Sequence, residues 1–131
     1  INEVLSMIDT TINEVQRQGL RRVGVLGLGV PKIYLEPLDK MSIAYETLPV
    51  EAGGLIDRLD RAIVAYMAGQ TTADDRTLAA EAVATLRARG VEAIILGCTE
   101  IILLLGADAL ASDLIDPLRL LADAAVRFAM E

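Results

Sequence analysis

Residues 94–100 read IILGCTE and carry the one thiol of the chain. An apolar run delivers Cys98, and a hydroxyl and a carboxylate follow at once on Thr99 and Glu100. A thiol can give up a proton, and a thiolate can abstract one or attack an electrophile. Thr99 can hold a carboxylate through its hydroxyl. Glu100 can cap a helix, orient an amine or act as a base. The chain has no histidine. That removes Cys–His and Ser–His dyads, and the usual Cys/His zinc site, from within these 131 residues. A single cysteine leaves no internal disulfide, and no carboxylate loop has calcium-site spacing.

Other chemistry-bearing stretches are thinner. VGVLGLG sets Gly24, Gly27 and Gly29 in a GxxGxG pattern. This is neither the dinucleotide fingerprint GxGxxG nor the phosphate loop GxxxxGK[ST]. It predicts a tight strand-to-loop turn lining a pocket. Asp9, Thr10 and Thr11 follow an apolar stretch; capping is their default role and ligand contact the sharper alternative. Tyr34, Tyr45 and Tyr66 are scattered and make no stacking array for bases.

These residues need elements to position them. Val4–Ile8 reads as a short strand. Thr11 and Glu14 have capping-box spacing, which predicts a helix over Thr11–Gln18 closed by Gly19. Val23–Leu26 is a second strand. Pro31 suits a first helical turn and Pro37 does not suit an interior, so a short or broken helix is expected there. Ser42–Leu48 reads as a third strand. Apolar residues recur at helical spacing from Gly54 to Ala68, and Thr72 with Asp75 opens a further helix that Gly90 closes. Val91–Leu96 is continuous and apolar, as a strand covered on both faces would be. A short helix from Thr99 or Glu100 carries Ile101–Leu105. Leu114–Ile115 is a last strand. Asp116 caps, Pro117 takes the first helical position, and Leu118, Leu121, Ala125 and Phe128 are expected to face inward.

Strand and helix alternating in this way predict an α/β fold, a parallel sheet with helices on both faces, in one domain over residues 1–131. Ligands of such sheets bind beyond the carboxyl ends of the strands. Cys98 lies at that rim and at a helix N-terminus, where amides and dipole lower a thiol pKa. The alternative is a small buried hydrophobe at a strand end.

Composition narrows the classes. Hydrophobic residues make up 53% and charged residues 24%, enough for a packed core. The net charge of −7 argues against nucleic acid as a partner. Arg58–Arg61 and Arg87–Arg89 are the local basic candidates, and solvated helix faces are the plainer reading. No apolar run reaches membrane-spanning length, and residues 1–7 lack a signal-peptide pattern, so a cytoplasmic protein without a membrane partner is expected.

GVEAIILGCTEIILLL, followed by LIDPLRLLADAAVRFA, resembles the carboxyl-terminal signature of the aspartate/glutamate racemase family. VLSMIDTTINEVQRQGLRRVGVLGLG is similar to that family's mid-chain strand–helix–strand. The resemblance implies one of two similar α/β domains with an active site in the cleft between them. It implies racemisation of an amino acid or related carboxylate without pyridoxal phosphate, metal or any other cofactor. One cysteine thiolate would remove the α-proton and a second cysteine would return one to the opposite face. Cys98 matches the second cysteine, Thr99 the neighbouring carboxylate-binding position, and Glu100 completes the motif. With Gly97, Thr10 and Thr11 these make the candidate substrate-binding set.

The first cysteine of the family lies in a CNT-type stretch that has no counterpart here. Residue 1 resembles a point just after it, and the chain starts on Ile. The expectation is a carboxyl-terminal half. GLGVP also lacks the family's threonine after the equivalent strand. The final helix, 117–130, would pack back on the first half, on its own sheet, or on a second copy in a dimer. Two other readings stand beside the racemase: a single-cysteine decarboxylase of the same superfamily, and a non-catalytic α/β ligand-binding or assembly module.

Overall fold

A computed structural model describes residues 6–130. Four parallel strands form one sheet: β1 (Arg22–Leu26), β2 (Ala44–Glu46), β3 (Ala93–Leu96) and β4 (Leu114–Ile115), in the order β2-β1-β3-β4. Six α-helices surround it: α1 (Met7–Arg17), α2 (Lys32–Lys40), α3 (Leu55–Met67), α4 (Ala73–Arg87), α5 (Thr99–Leu105) and α6 (Pro117–Met130). A 3-10 helix, Gly106–Leu110, follows α5.

The period of two along a strand divides the core into two. Ile94 and Leu96 point to one face, against Leu59, Ile63, Leu86 and Leu104 of α3, α4 and α5. Ala93 and Ile95 point to the other, against Ile12 and Val15 of α1 and Tyr34 and Leu38 of α2. Both faces are covered, so both phases of β3 are buried. This is why its sequence is apolar without alternation.

Several local signals act as read. The Thr72 hydroxyl accepts from the Asp75 amide, and the Asp75 carboxylate accepts from the Thr72 amide. Asp116 accepts from the amides of Leu118 and Arg119 at the start of α6.

Others are corrected. Of the expected strand Val4–Ile8, Val4 and Leu5 lie outside the described residues, while Met7 and Ile8 are helical. The cap of α1 is Ser6, whose hydroxyl accepts from the Asp9 amide, and not Thr11. With the helix begun at Ser6, Thr11 and Glu14 both lie in its interior, and Glu14 instead accepts from Arg17 and Gln18. The helix α2 is short, nine residues, as one alternative had it, but it is not broken: it runs through Pro37 to Lys40 at the loss of one backbone donor. Ser42 then turns at φ +56, and the Ile43 amide donates back to Leu38. The third strand therefore cannot begin at Ser42 and shrinks to Ala44–Glu46. Helix α6 packs on α1, with Leu120 reaching the core beneath. Leu118 and Phe128, expected inward, are 50% and 37% exposed, and Ala125 is exposed as well.

The two basic candidates are paired surface groups: Arg58 faces Glu81, Arg87 faces Asp113 and Arg89 faces Glu46. Among the described residues no helix is long and apolar enough to cross a membrane. Arg87 donates to both oxygens of Asp113, at 2.8 and 2.7 Å, and holds that carboxyl below its ordinary value. A carboxylate depressed by folding adds stability above its unfolded-state value, and loses it as pH falls through the folded one. Asp113→Asn should cost less than about 1 kcal/mol at neutral pH, because the pair is partly solvated. It should also flatten the loss of stability in acid. Urea unfolding followed from neutral pH into acid checks both.

Candidate active site

Strands β1 and β3 lie side by side at the centre of the sheet, and the chain leaves them in opposite directions. From β1 it turns through α2 to β2; from β3 it turns through α5 to β4. Diverging connections open a crevice at the carboxyl ends of such a pair. One wall is the loop Gly27–Pro31 with Lys32 and Ile33 at the start of α2; the other is Gly97 and Cys98. The cavity between them measures about 330 Å³.

Gly97 brings the walls together. Its amide donates to the Leu26 carbonyl at 2.7 Å. A Cβ there would fall 2.7 Å from that same oxygen and 3.2 Å from Cε2 of the buried Tyr34 ring. Any side chain would push the ends of β1 and β3 apart. On the opposite wall, Gly29 takes a left-handed φ of +65, and its amide donates to Oδ1 of Asp60 on α3 at 2.8 Å. That bond ties the loop to the body of the fold.

Cys98 follows in extended conformation as the N-cap of α5. Its side chain is half-buried and lines the cavity. The Sγ–H donates to Oε1 of Glu100 at 3.1 Å. Burial pushes the Cys98 thiol up, and the Glu100 carboxylate pushes the same way. The amides of Glu100 and Ile101 pull it down and are outweighed. This corrects the lowered thiol expected from the helix terminus. A seven-residue helix offers few aligned amides, while a carboxylate in hydrogen-bond contact favours the neutral S–H and repels a thiolate. The site at rest is a protonated thiol with an acceptor beside it.

Replacing that acceptor with its uncharged isostere tests this assignment. Glu100→Gln should move the Cys98 titration toward lower pH, read from the pH dependence of alkylation. An unmoved midpoint would leave burial as the sole cause.

The other expected site residues are placed elsewhere. Thr99 is exposed and borders a separate space of about 20 Å³ with Tyr34 and Leu118. Thr10 donates to the carbonyls of Ser6 and Met7, and the buried Thr11 donates to Met7 at 2.7 Å. Neither threonine of α1 lines the thiol's cavity. The structure gathers Gly97, Cys98 and Glu100, and adds Leu28, Val30, Lys32 and Ile33, which sequence reasoning did not name. The GLG turn pointed to their loop without giving their roles, and nothing local to Asp60 marked it as the loop's anchor. Among the described residues no group of three or more Cys, Asp or Glu side chains is placed to hold a metal ion. A larger space of about 570 Å³ between α4 and the 3-10 helix contains none of the expected site residues.

Comparison with known proteins gives this geometry a context. The profile of the Asp/Glu/hydantoin racemase family matches residues 4–125. The crystal structure of a candidate Asp/Glu racemase from Yersinia pestis superposes with a TM-score of 0.82 at 28% identity, covering 97% of this chain and 56% of that one. An aspartate racemase homologue from Pyrococcus horikoshii OT3 superposes with a TM-score of 0.72 at 21% identity, covering 96% of this chain and 56% of that one. The second likeness is one of fold. The chain spans little more than half the length of either solved relative.

Proposed function

Because the chain belongs to the Asp/Glu/hydantoin racemase family, we propose that it serves an isomerase acting at the α-carbon of an amino acid or a related carboxylate, with Cys98 as one of its proton carriers. The observation behind this reading is the half-buried thiol hydrogen-bonded to Glu100 on the wall of a ligand-sized cavity at the sheet's switch point. Held protonated, Cys98 is ready to give a proton to a carbanion-like α-carbon. In the reverse direction it must first lose its proton, and Glu100 is the acceptor within reach. Gly97 fixes the thiol against β1, so that proton moves along a set direction.

Inversion needs a second proton carrier on the opposite face of the substrate. The chain has one cysteine and no histidine. A thiol pair therefore draws its other member from a further polypeptide segment or a second chain. A reaction that delivers a proton to one face needs no such pair. This favours a second reading: decarboxylation of a substituted malonate. There the C–C bond breaks, its electrons stay on the α-carbon, carbon dioxide leaves, and the Cys98 proton bonds to that carbon.

Incubation in D₂O separates these readings. Loss of the α-proton signal of an amino acid, without loss of carbon dioxide, supports the isomerase. Carbon dioxide release from an arylmalonate without wash-in on amino acids supports the decarboxylase. Neither signal, from the chain alone or combined with a segment that carries a second cysteine, would leave a binding module.

A further inference from the structure

We propose, on the basis of the isomerase reading above, that the substrate placed beside Cys98 carries a single carboxylate, taken by Lys32, and an apolar substituent on its α-carbon. The cavity wall opposite the thiol is aliphatic. Leu28, Val30 and Ile33 are 51%, 38% and 58% exposed there, with Pro31 between them. Among the described residues that line the cavity, Lys32 is the one cation and Cys98 the other ionisable group. A substrate with two carboxylates could pair one with Lys32. Its second, turned toward this wall, would lie against hydrocarbon with no cation beside it among the described residues of the wall. An aliphatic or aromatic substituent would instead remove both its own surface and that of the leucine, valine and isoleucine from water.

The wall is built and not merely exposed. The Gly29 amide is held by Asp60, and a Cβ on Gly27 would come within 3.0 Å of Pro31 Cβ, so the turn is closed on itself. The aliphatic side chains are thus carried on an anchored loop, as a preformed specificity surface requires.

The test is protection of Cys98 from iodoacetamide by leucine, phenylalanine, aspartate and glutamate, each as both enantiomers. Leucine or phenylalanine should half-protect at a concentration at least about tenfold below that of aspartate or glutamate, the scale on which an apolar pocket discriminates. Lys32→Met should remove protection by all four, and Leu28→Lys should shift the preference toward aspartate. Both are exposed positions, and circular dichroism confirms the fold of each variant. Aspartate or glutamate protecting as well as leucine would overturn the proposal. So would protection unaffected by Lys32→Met, or no protection by any of the four. Apolar protection without deuterium wash-in would instead sink the isomerase reading and leave the pocket chemistry standing.

Discussion

Cys98→Ser is expected to cut deuterium wash-in at the substrate α-carbon by about 10²- to 10⁴-fold, the usual contribution of one positioned acid or base. Serine matches the thiol in shape but is a far weaker acid. Glu100, 3.1 Å away, can accept a thiol proton but cannot ionise a hydroxyl to a useful degree. The direction of the thiol shift adds a sign. Burial and Glu100 hold Cys98 above its ordinary value. Proton abstraction should therefore rise with pH past the ordinary thiol range, while proton donation stays level and then declines. Cys98→Ser should unfold in urea at a midpoint close to that of the parent, since the side chain is half-buried at a loop. Wash-in surviving the substitution within about threefold would remove Cys98 from the proton path.

Gly97→Ala is expected to have the largest effect on stability of any single methyl addition in the site, about 2–3 kcal/mol by urea unfolding, at the upper end for overpacking. The reason lies in what the methyl meets. At Gly24 the nearest atom is Leu86 Cδ1, 3.0 Å away, the end of a flexible side chain that can swing aside. At Gly97 it is the Leu26 carbonyl oxygen at 2.7 Å, which is backbone and already accepts the Gly97 amide. That oxygen cannot retreat without breaking the ladder between β1 and β3. Equal stability in the variant and the parent would mean the strand ends are free to separate. The same experiment should show faster alkylation of Cys98, because spreading the walls exposes the sulfur.

Sequence and structure agree where the cause is local. The Thr72–Asp75 box, the Asp116 cap and the unbroken apolar phase of β3 each follow from a few adjacent residues, and each is present. The α/β class follows from the same alternation. Disagreement sits where spacing alone does not decide. Thr11 and Glu14 have capping-box spacing, but the helix begins a turn earlier, at Ser6. Thr99 adjoins Cys98 in sequence, yet a helix start sends successive side chains in different directions, and the two border different spaces. The thiol's direction of shift depends on the Glu100 rotamer, which no spacing rule supplies. Lys32 and Asp60 meet the site through a strand pairing and a loop anchor that a one-dimensional reading does not contain.

The divergence of β1 and β3 has a bearing on how this scaffold can change. Sulfur and aliphatic wall sit on separate loops whose spacing is dictated by a buried ladder, so reactivity and preference are inherited through different stretches of chain. Leu28, Val30 and Ile33 could be exchanged with little risk to the hydrophobic interior, because solvent already reaches all three. Val25 and Ile95 are the reverse: paired side by side and buried, they belong to the ladder that sets the gauge of the opening. Laboratory evolution restricted to positions 28, 30 and 33 should thus retune selectivity while the proton-handling apparatus stays as it is.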